Sequence, residues 1–98
     1  MSANTLITLE QGLEGALDAM SVSRLCPLLD QLVEEHQEDV CLKMHRIEFI
    51  DSSGVGALVF LFKRLRENGR DLTLSGVHGQ PLELIRFLRI DQIIRLQS

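Results

Sequence analysis

The chain has no tryptophan and no tyrosine, and its only aromatics are four phenylalanines in 98 residues. Its core must therefore be built from Leu, Ile and Val. The 45% apolar content is enough for one small core, so residues 1–98 are read as a single domain. Positive charge is also scarce. Ten Lys and Arg stand against fourteen Asp and Glu, for a net charge of -4, whereas a nucleic-acid partner asks for a basic face. No apolar run is long enough to cross a bilayer. The start, Met1-Ser2-Ala3-Asn4, lacks the basic residues and apolar stretch of a signal peptide. These absences lead to the expectation of a cytoplasmic protein that neither inserts into membranes nor binds nucleic acid. Cys26 and Cys41 sit among apolar neighbours and are read as buried free thiols. Metal-ligand clusters and nucleotide-cradling glycine loops are missing too, so no cofactor is expected.

What is present is an alternation of strand and helix signals. Thr5–Leu9 is rich in β-formers and reads as a strand. Gln11–Gly15 is punctuated by glycine and reads as a turn, with room for a short return strand. Val22, Leu25, Leu28, Leu29, Leu32 and Val33 recur at helical spacing, which predicts a helix to about His36 capped by Ser21 or Ser23. Pro27 is easy only in a first turn, so the helix is expected to start late or to bend there. Val40–Met44 reads as a strand and Arg46–Ile50 as an extended lead-in. Ser52–Asn68 reads as a helix stopped by Gly69, Leu72–Ser75 as a strand, Pro81–Leu88 as a helix and Ile93–Leu96 as a closing strand. This order predicts an α/β fold: a small mixed sheet with parallel crossover strands packed against helices, one face covered more fully than the other.

One stretch stands out, Phe49-Ile50-Asp51-Ser52-Ser53-Gly54-Val55-Gly56, where a strand hands over to a helix. Asp and Ser are favoured caps, and Gly54 suits a tight turn. A hydroxyl at the helix start lies near unpaired backbone N–H groups and the positive end of the helix dipole, a favourable place for a phosphate. On a helical wheel Leu58, Leu61, Phe62 and Leu65 share the core side, with Val55 and Val59 at its edge. Gly56 and Phe60 fall opposite, so Gly56 leaves a notch and Phe60 offers an anchor for a partner. The turn is not the Gly-x-Ser-x-Gly of a serine hydrolase, and His36, His45 and His78 read as surface residues. A serine enzyme or acyl carrier would need a base that the sequence does not offer. The run Glu34–Asp39 reads as a solvated helix end, with complementarity to a basic partner as the alternative, and Arg86, Arg89 and Arg95 read as helix surface.

At these residues the chain resembles the STAS domain, the family of anti-sigma factor antagonists and sulphate-transporter tails. The Asp51-Ser52-Ser53-Gly54-Val55-Gly56 turn is similar to that family's Asp-Ser-Ser/Thr-Gly-x-Gly. Gly15-Ala16-Leu17-Asp18 is similar to the Gly-x-Leu-Asp before its first helix, although the region ahead is shorter than the family's usual strand pair. The resemblance implies partner switching without catalysis. The unmodified protein binds an anti-sigma factor that is itself a serine kinase, Ser52 is phosphorylated and the complex parts, and a metal-dependent Ser/Thr phosphatase restores binding. Ser53 would be the neighbouring cap or contact, and Asp18 and Asp51 would belong to the kinase-facing surface. An alternative within the same resemblance is a constitutive STAS subunit of an ABC-type lipid transporter.

Overall fold

The structure is a computed structural model that describes residues 6–97. It begins with strand β1 (Leu6–Leu9) and ends with β6 (Arg95–Gln97). Between them lie β2 (Gly15–Leu17), α1 (Ala19–Glu34), β3 (Asp39–Lys43), β4 (Ile47–Ile50), α2 (Ser52–Glu67), β5 (Leu72–Ser75), α3 (Gly79–Phe87) and a 3-10 turn (Ile90–Gln92). Thr5, expected to open the first strand, lies outside the described residues.

Four strands form one sheet in the order β1-β3-β5-β6, and β2 pairs with β4 in a separate ribbon. All four pairings among the described residues are parallel, as the expected crossover strands require. The expected return strand is corrected. β2 does not turn back along β1 but runs parallel to β4. The reason is that helical crossovers between sheet strands return the chain to the same end of the sheet.

Register explains the core. Leu9, Leu42, Leu74 and Leu96 line up across the four strands on the inner face, beside the row Ile7, Val40 and Leu72. Thr8, Cys41, Thr73 and Arg95 form the matching row on the other face. That face lacks an aliphatic row, so the helices pack on the inner side. Burial pushes the Cys41 thiol up, and Lys43 opposes this only weakly, so the group stays neutral. Cys26, expected to be buried, is exposed on α1.

Helix α1 starts earlier than its serines suggested. Asp18, not Ser21 or Ser23, is the cap, and Ser21 is buried in the first turn. The buried positions Ser21, Leu25, Leu29 and Leu32 form one stripe. Pro27 lies in the helix interior on the solvent side, where its missing N–H frees a carbonyl that water can satisfy.

The other end of α1 is held by a residue that the sequence reading overlooked. Arg70 is 4% exposed. Its Nε donates to Glu38 O at 2.6 Å, Nη1 to Val33 O at 3.1 Å and Nη2 to Leu32 O at 2.8 Å. One guanidinium thus satisfies carbonyls left over at the end of α1 and ties the α2–β5 connection to the α1–β3 connection. Replacing Arg70 with Met keeps most of the volume but strands those acceptors. The loss expected in urea unfolding is about 3 kcal/mol, and a loss below about 1 kcal/mol would show that the three bonds carry no net stability.

Candidate functional site

The site is built by two strand-to-helix junctions lying side by side. In the β2–β4 ribbon Leu17 is registered with Ile50, so Asp18 and Asp51 emerge from neighbouring strand ends. The ladder extends one step further, with Asp51 N–H donating to Leu17 O at 3.3 Å. Each aspartate caps the helix that follows. Asp18 Oδ1 accepts from Ser21 N–H at 3.1 Å, while Asp18 N–H donates to Ser21 Oγ at 2.9 Å. Asp51 Oδ1 accepts from Gly54 N–H at 3.0 Å. Helices α1 and α2 pack against each other, and both begin at this ribbon end. Two positive helix ends therefore meet at one place.

The far side of β4 is closed by a side chain. Gln80 on α3 accepts from Ile50 N–H through Oε1 at 2.9 Å and donates to Ile50 O through Nε2 at 3.0 Å. This amide takes the place of a strand neighbour and fixes the residue two positions before Ser52.

The expected division of labour in the turn needs two corrections. Ser53 is not the cap, because Asp51 is. Asp can accept from the third helical N–H with a full charge, and it occupies the extended backbone position that a cap requires. Gly54 is not a tight-turn residue either. It lies in the first turn of α2, buried, and a Cβ there would sit 2.2 Å from Leu17 O and 2.7 Å from Ile50 Cγ1. Its role is to let the helix close onto β2, so it supports the site from inside rather than presenting a surface.

This arrangement leaves Ser52 and Ser53 exposed in the first turn with no capping duty. Neither hydroxyl makes a hydrogen bond among the described residues, so neither is activated by a base. The histidines are engaged elsewhere: His45 lies 3.4 Å from Glu10, His78 Nε2 lies 2.8 Å from His45 O, and His36 lies 3.9 Å from Glu38. No group of three or more His, Cys, Asp or Glu among the described residues is placed to hold a metal.

One turn along α2 the surface is apolar. Gly56 is exposed, and a Cβ added there would meet nothing within 4 Å. Phe60 is 62% exposed and lies under the Arg64 guanidinium, 5.5 Å from ring centroid to Cζ. Arg64 bonds to Asp30 across the α1–α2 interface. Phe60, Ala57, Leu29 and Cys26 line a small cleft of about 40 Å³ between the two helices. Met20 and Phe49 are also exposed, from the first turn of α1 and from β4. The sequence marks Phe49 only as the head of the strand-to-helix stretch, and Met20 not at all. Only the pairing of the two junctions gives them a shared meaning.

The fold, the turn and the paired junctions define a STAS domain, and the chain belongs to that family, whose model matches residues 12–98. The anti-sigma-B factor antagonist of Staphylococcus aureus is 29% identical over 84 residues, 86% of this chain and 78% of that one. Among solved structures, the Bacillus anti-sigma factor antagonist SpoIIAA superposes with a TM-score of 0.71 unphosphorylated and 0.72 phosphorylated, at 17% identity. The superposition takes in 100% of this chain and 83% and 87% of those two chains respectively. A sulfate transporter family protein of Wolinella succinogenes gives 0.78 at 24% identity, over 94% of this chain and 75% of that one. No helix among the described residues is long and apolar enough to cross a membrane.

The two glycines of the turn should respond in opposite directions to alanine. Gly54→Ala drives a methyl into Leu17 O and should destabilise by about 1–3 kcal/mol. Gly56→Ala adds a methyl to open space and should stabilise α2 by up to about 1 kcal/mol. Denaturant unfolding of both variants reads this directly, and equal effects would contradict the packing described.

The cap on α1 also predicts an acid response. The Ser21 N–H holds the Asp18 carboxyl below its ordinary value of 3.8. The unfolded chain then binds this proton more readily than the folded one. The stability from Asp18 is present above that ordinary value and is lost as pH falls through the lower folded one. Asp18→Asn keeps a capping oxygen without the charge. Its melting temperature should fall less steeply than wild type in this acid range, and parallel curves would remove Asp18 as a contributor.

Proposed function

We propose that this chain is a partner-switching regulator of the anti-sigma factor antagonist type. Unmodified, it binds an anti-sigma factor that is also a serine kinase. Phosphorylation of Ser52 ends the complex, and a metal-dependent Ser/Thr phosphatase restores it. The observation that carries the reading is the exposed Ser52 hydroxyl, left free because Asp51 performs the capping. The match to the S. aureus anti-sigma-B factor antagonist and the likeness to SpoIIAA, described in both phosphorylation states, support it.

The chemistry runs as follows. An unactivated hydroxyl suits a substrate of a kinase better than a nucleophile of an enzyme, because the kinase brings its own base. The partner surface is Ser52, Ser53, Gly56 and Phe60, flanked by Asp18 and Asp51, with Gly54 holding the turn in place. Gly56 lets a partner backbone approach the helix, and Phe60 is the anchor. Phosphate brings about -1.5 to -2 charges and a bulky group. Within this chain the N–H groups of Ser52 and Ser53 and two helix ends can balance that charge, so no refolding is needed. Under a tightly fitted partner the same charge is desolvated and finds the partner's surface already matched to a neutral hydroxyl. Each ~1.4 kcal/mol of that conflict is tenfold in affinity.

The test is binding and phosphorylation with a purified serine-kinase anti-sigma factor and ATP. Intact mass should show a single phosphate, absent in Ser52→Ala. Ser52→Asp should weaken the complex roughly a hundredfold or more at unchanged melting temperature. Gly56→Ala should weaken binding while the fold gains stability. A complex indifferent to Ser52→Asp would reject the switch and favour a constitutive subunit.

A further inference from the structure

A second surface, independent of the Ser52 reading, occupies Arg86–Leu96, from the end of α3 to the start of β6. Phe87 is 81% exposed, Ile93 51% and Leu88 47%. Arg86, Arg89 and Arg95 are interleaved with them and exposed. Elsewhere Arg46, Arg64 and Arg66 each pair with a carboxylate, and among the described residues Arg24 on α1 does not. Arg86, Arg89 and Arg95 have no such partner among the described residues. Arg89 is also held at φ 62°, the left-handed position that ends α3, with its N–H donating to Arg86 O at 3.0 Å. Glycine suits that position and an L side chain is strained there. An arginine where glycine fits better points to a use for the side chain.

Part of this surface is a shallow, open depression lined by Arg86, Asp91, Ile93, Arg95 and Leu96, with Phe87, Leu88 and Arg89 outside it. A second depression, which also includes Ile93 and Arg95, reaches Arg66 and Asp71 near the C-terminal end of α2. Between them runs β6, whose outer edge has no strand partner among the described residues. Gln97 O accepts from Gly76 N–H, and the alternation of a parallel ladder turns the backbone groups of Leu96 outward. Arg66 is fourteen residues beyond Ser52 on α2, about 21 Å at 1.5 Å per residue. The two surfaces are therefore at different ends of the molecule.

We propose that this patch receives an extended, acidic peptide segment of a partner protein, laid along the β6 edge. Its carboxylates face Arg86, Arg89 and Arg95, and an apolar side chain enters the depression beside Ile93 and Leu96. Uncompensated cations set among exposed apolar side chains call for such a segment. Asp91 within the depression repels the anionic headgroups of a bilayer. A second copy of this chain, which carries the acid run Glu34–Asp39, is the competing occupant that the test separates.

The experiment is an NMR titration of the whole chain with a synthetic peptide alternating Glu with Leu and Phe. A lysine version of the peptide and phosphatidylglycerol vesicles run alongside. The acidic peptide should move the amide resonances of residues 86–97. The affinity should fall roughly tenfold in Arg89→Gly, a change that suits the backbone and so spares the fold. Arg86→Glu should weaken it as well, and Ser52→Asp should leave it unchanged. No shifts in this segment, equal binding of the lysine peptide, or binding to vesicles alone would overturn the proposal. Self-association that disappears in Arg89→Gly would also overturn it, by giving the surface to a second copy.

Discussion

The closure of α2 onto the Leu17 carbonyl is the contact on which the site depends. It exists because position 54 carries no side chain: any Cβ would fall 2.2 Å from that oxygen. Once the helix can approach, Asp51 N–H reaches Leu17 O, and the two capped junctions lock into one ribbon end. The adjacency of two helix N-termini, the free first-turn hydroxyls and the shared exposure of Met20, Phe49 and Phe60 all follow. Pull α2 away by the width of a methyl and its first turn no longer rests on β2. Packing and electrostatics are linked here: a steric vacancy in the core sets where the helix dipoles point.

The same arrangement keeps the exposed turn rigid. Ile50 lies opposite Leu17 in the β2 ribbon, its own N–H and C=O are taken by the Gln80 amide, and Asp51 N–H beside it bonds to Leu17 O. Asp51 and Gly54 bond to each other, and Val55 N–H donates to Asp51 O at 2.9 Å. Ser52 is thus held by neighbours that do not include its own side chain. A group attached to its oxygen changes charge and bulk at the surface without removing any bond of the scaffold. A switch built this way acts on affinity directly and needs no second conformation.

Much of this was legible in the residues, and the failures have local causes. The order of strands and helices followed from period and punctuation, and the core face of α2 came out at Val55, Leu58, Leu61 and Leu65. The start of α1 is hard to read from residues alone, because Ser21, Ser23 and Pro27 all carry helix-start signals downstream of the true cap, Asp18. Asp18 and Ser21 form a reciprocal capping pair in which serine sits at the third helical position, the reverse of the usual serine-first pattern. The packing role of Gly54 is invisible in the residues, because sequence shows that a glycine is present but not that Leu17 O would stand 2.2 Å from its Cβ. Arg70 went unnoticed because its partners, the carbonyls of residues 32, 33 and 38, are backbone groups more than thirty residues away. No side-chain pattern marks a backbone acceptor.

Gly56 shows how structure separates a glycine the fold needs from one it does not. Both glycines of the turn lie on α2, where glycine costs about 1 kcal/mol relative to alanine. At position 54 the cost is offset by contact with β2. At position 56 there is open space, ordinary helical backbone and no neighbour to spare. The fold would be better served by alanine there. A locally unfavourable choice that no internal contact repays is expected where something outside the chain must approach closely. Its neighbours agree, since a 62% exposed phenylalanine is likewise a poor choice for a helix meant only to meet water. Two such choices one turn apart, beside a serine relieved of its capping work, mark this face of α2 as one that its own stability does not explain.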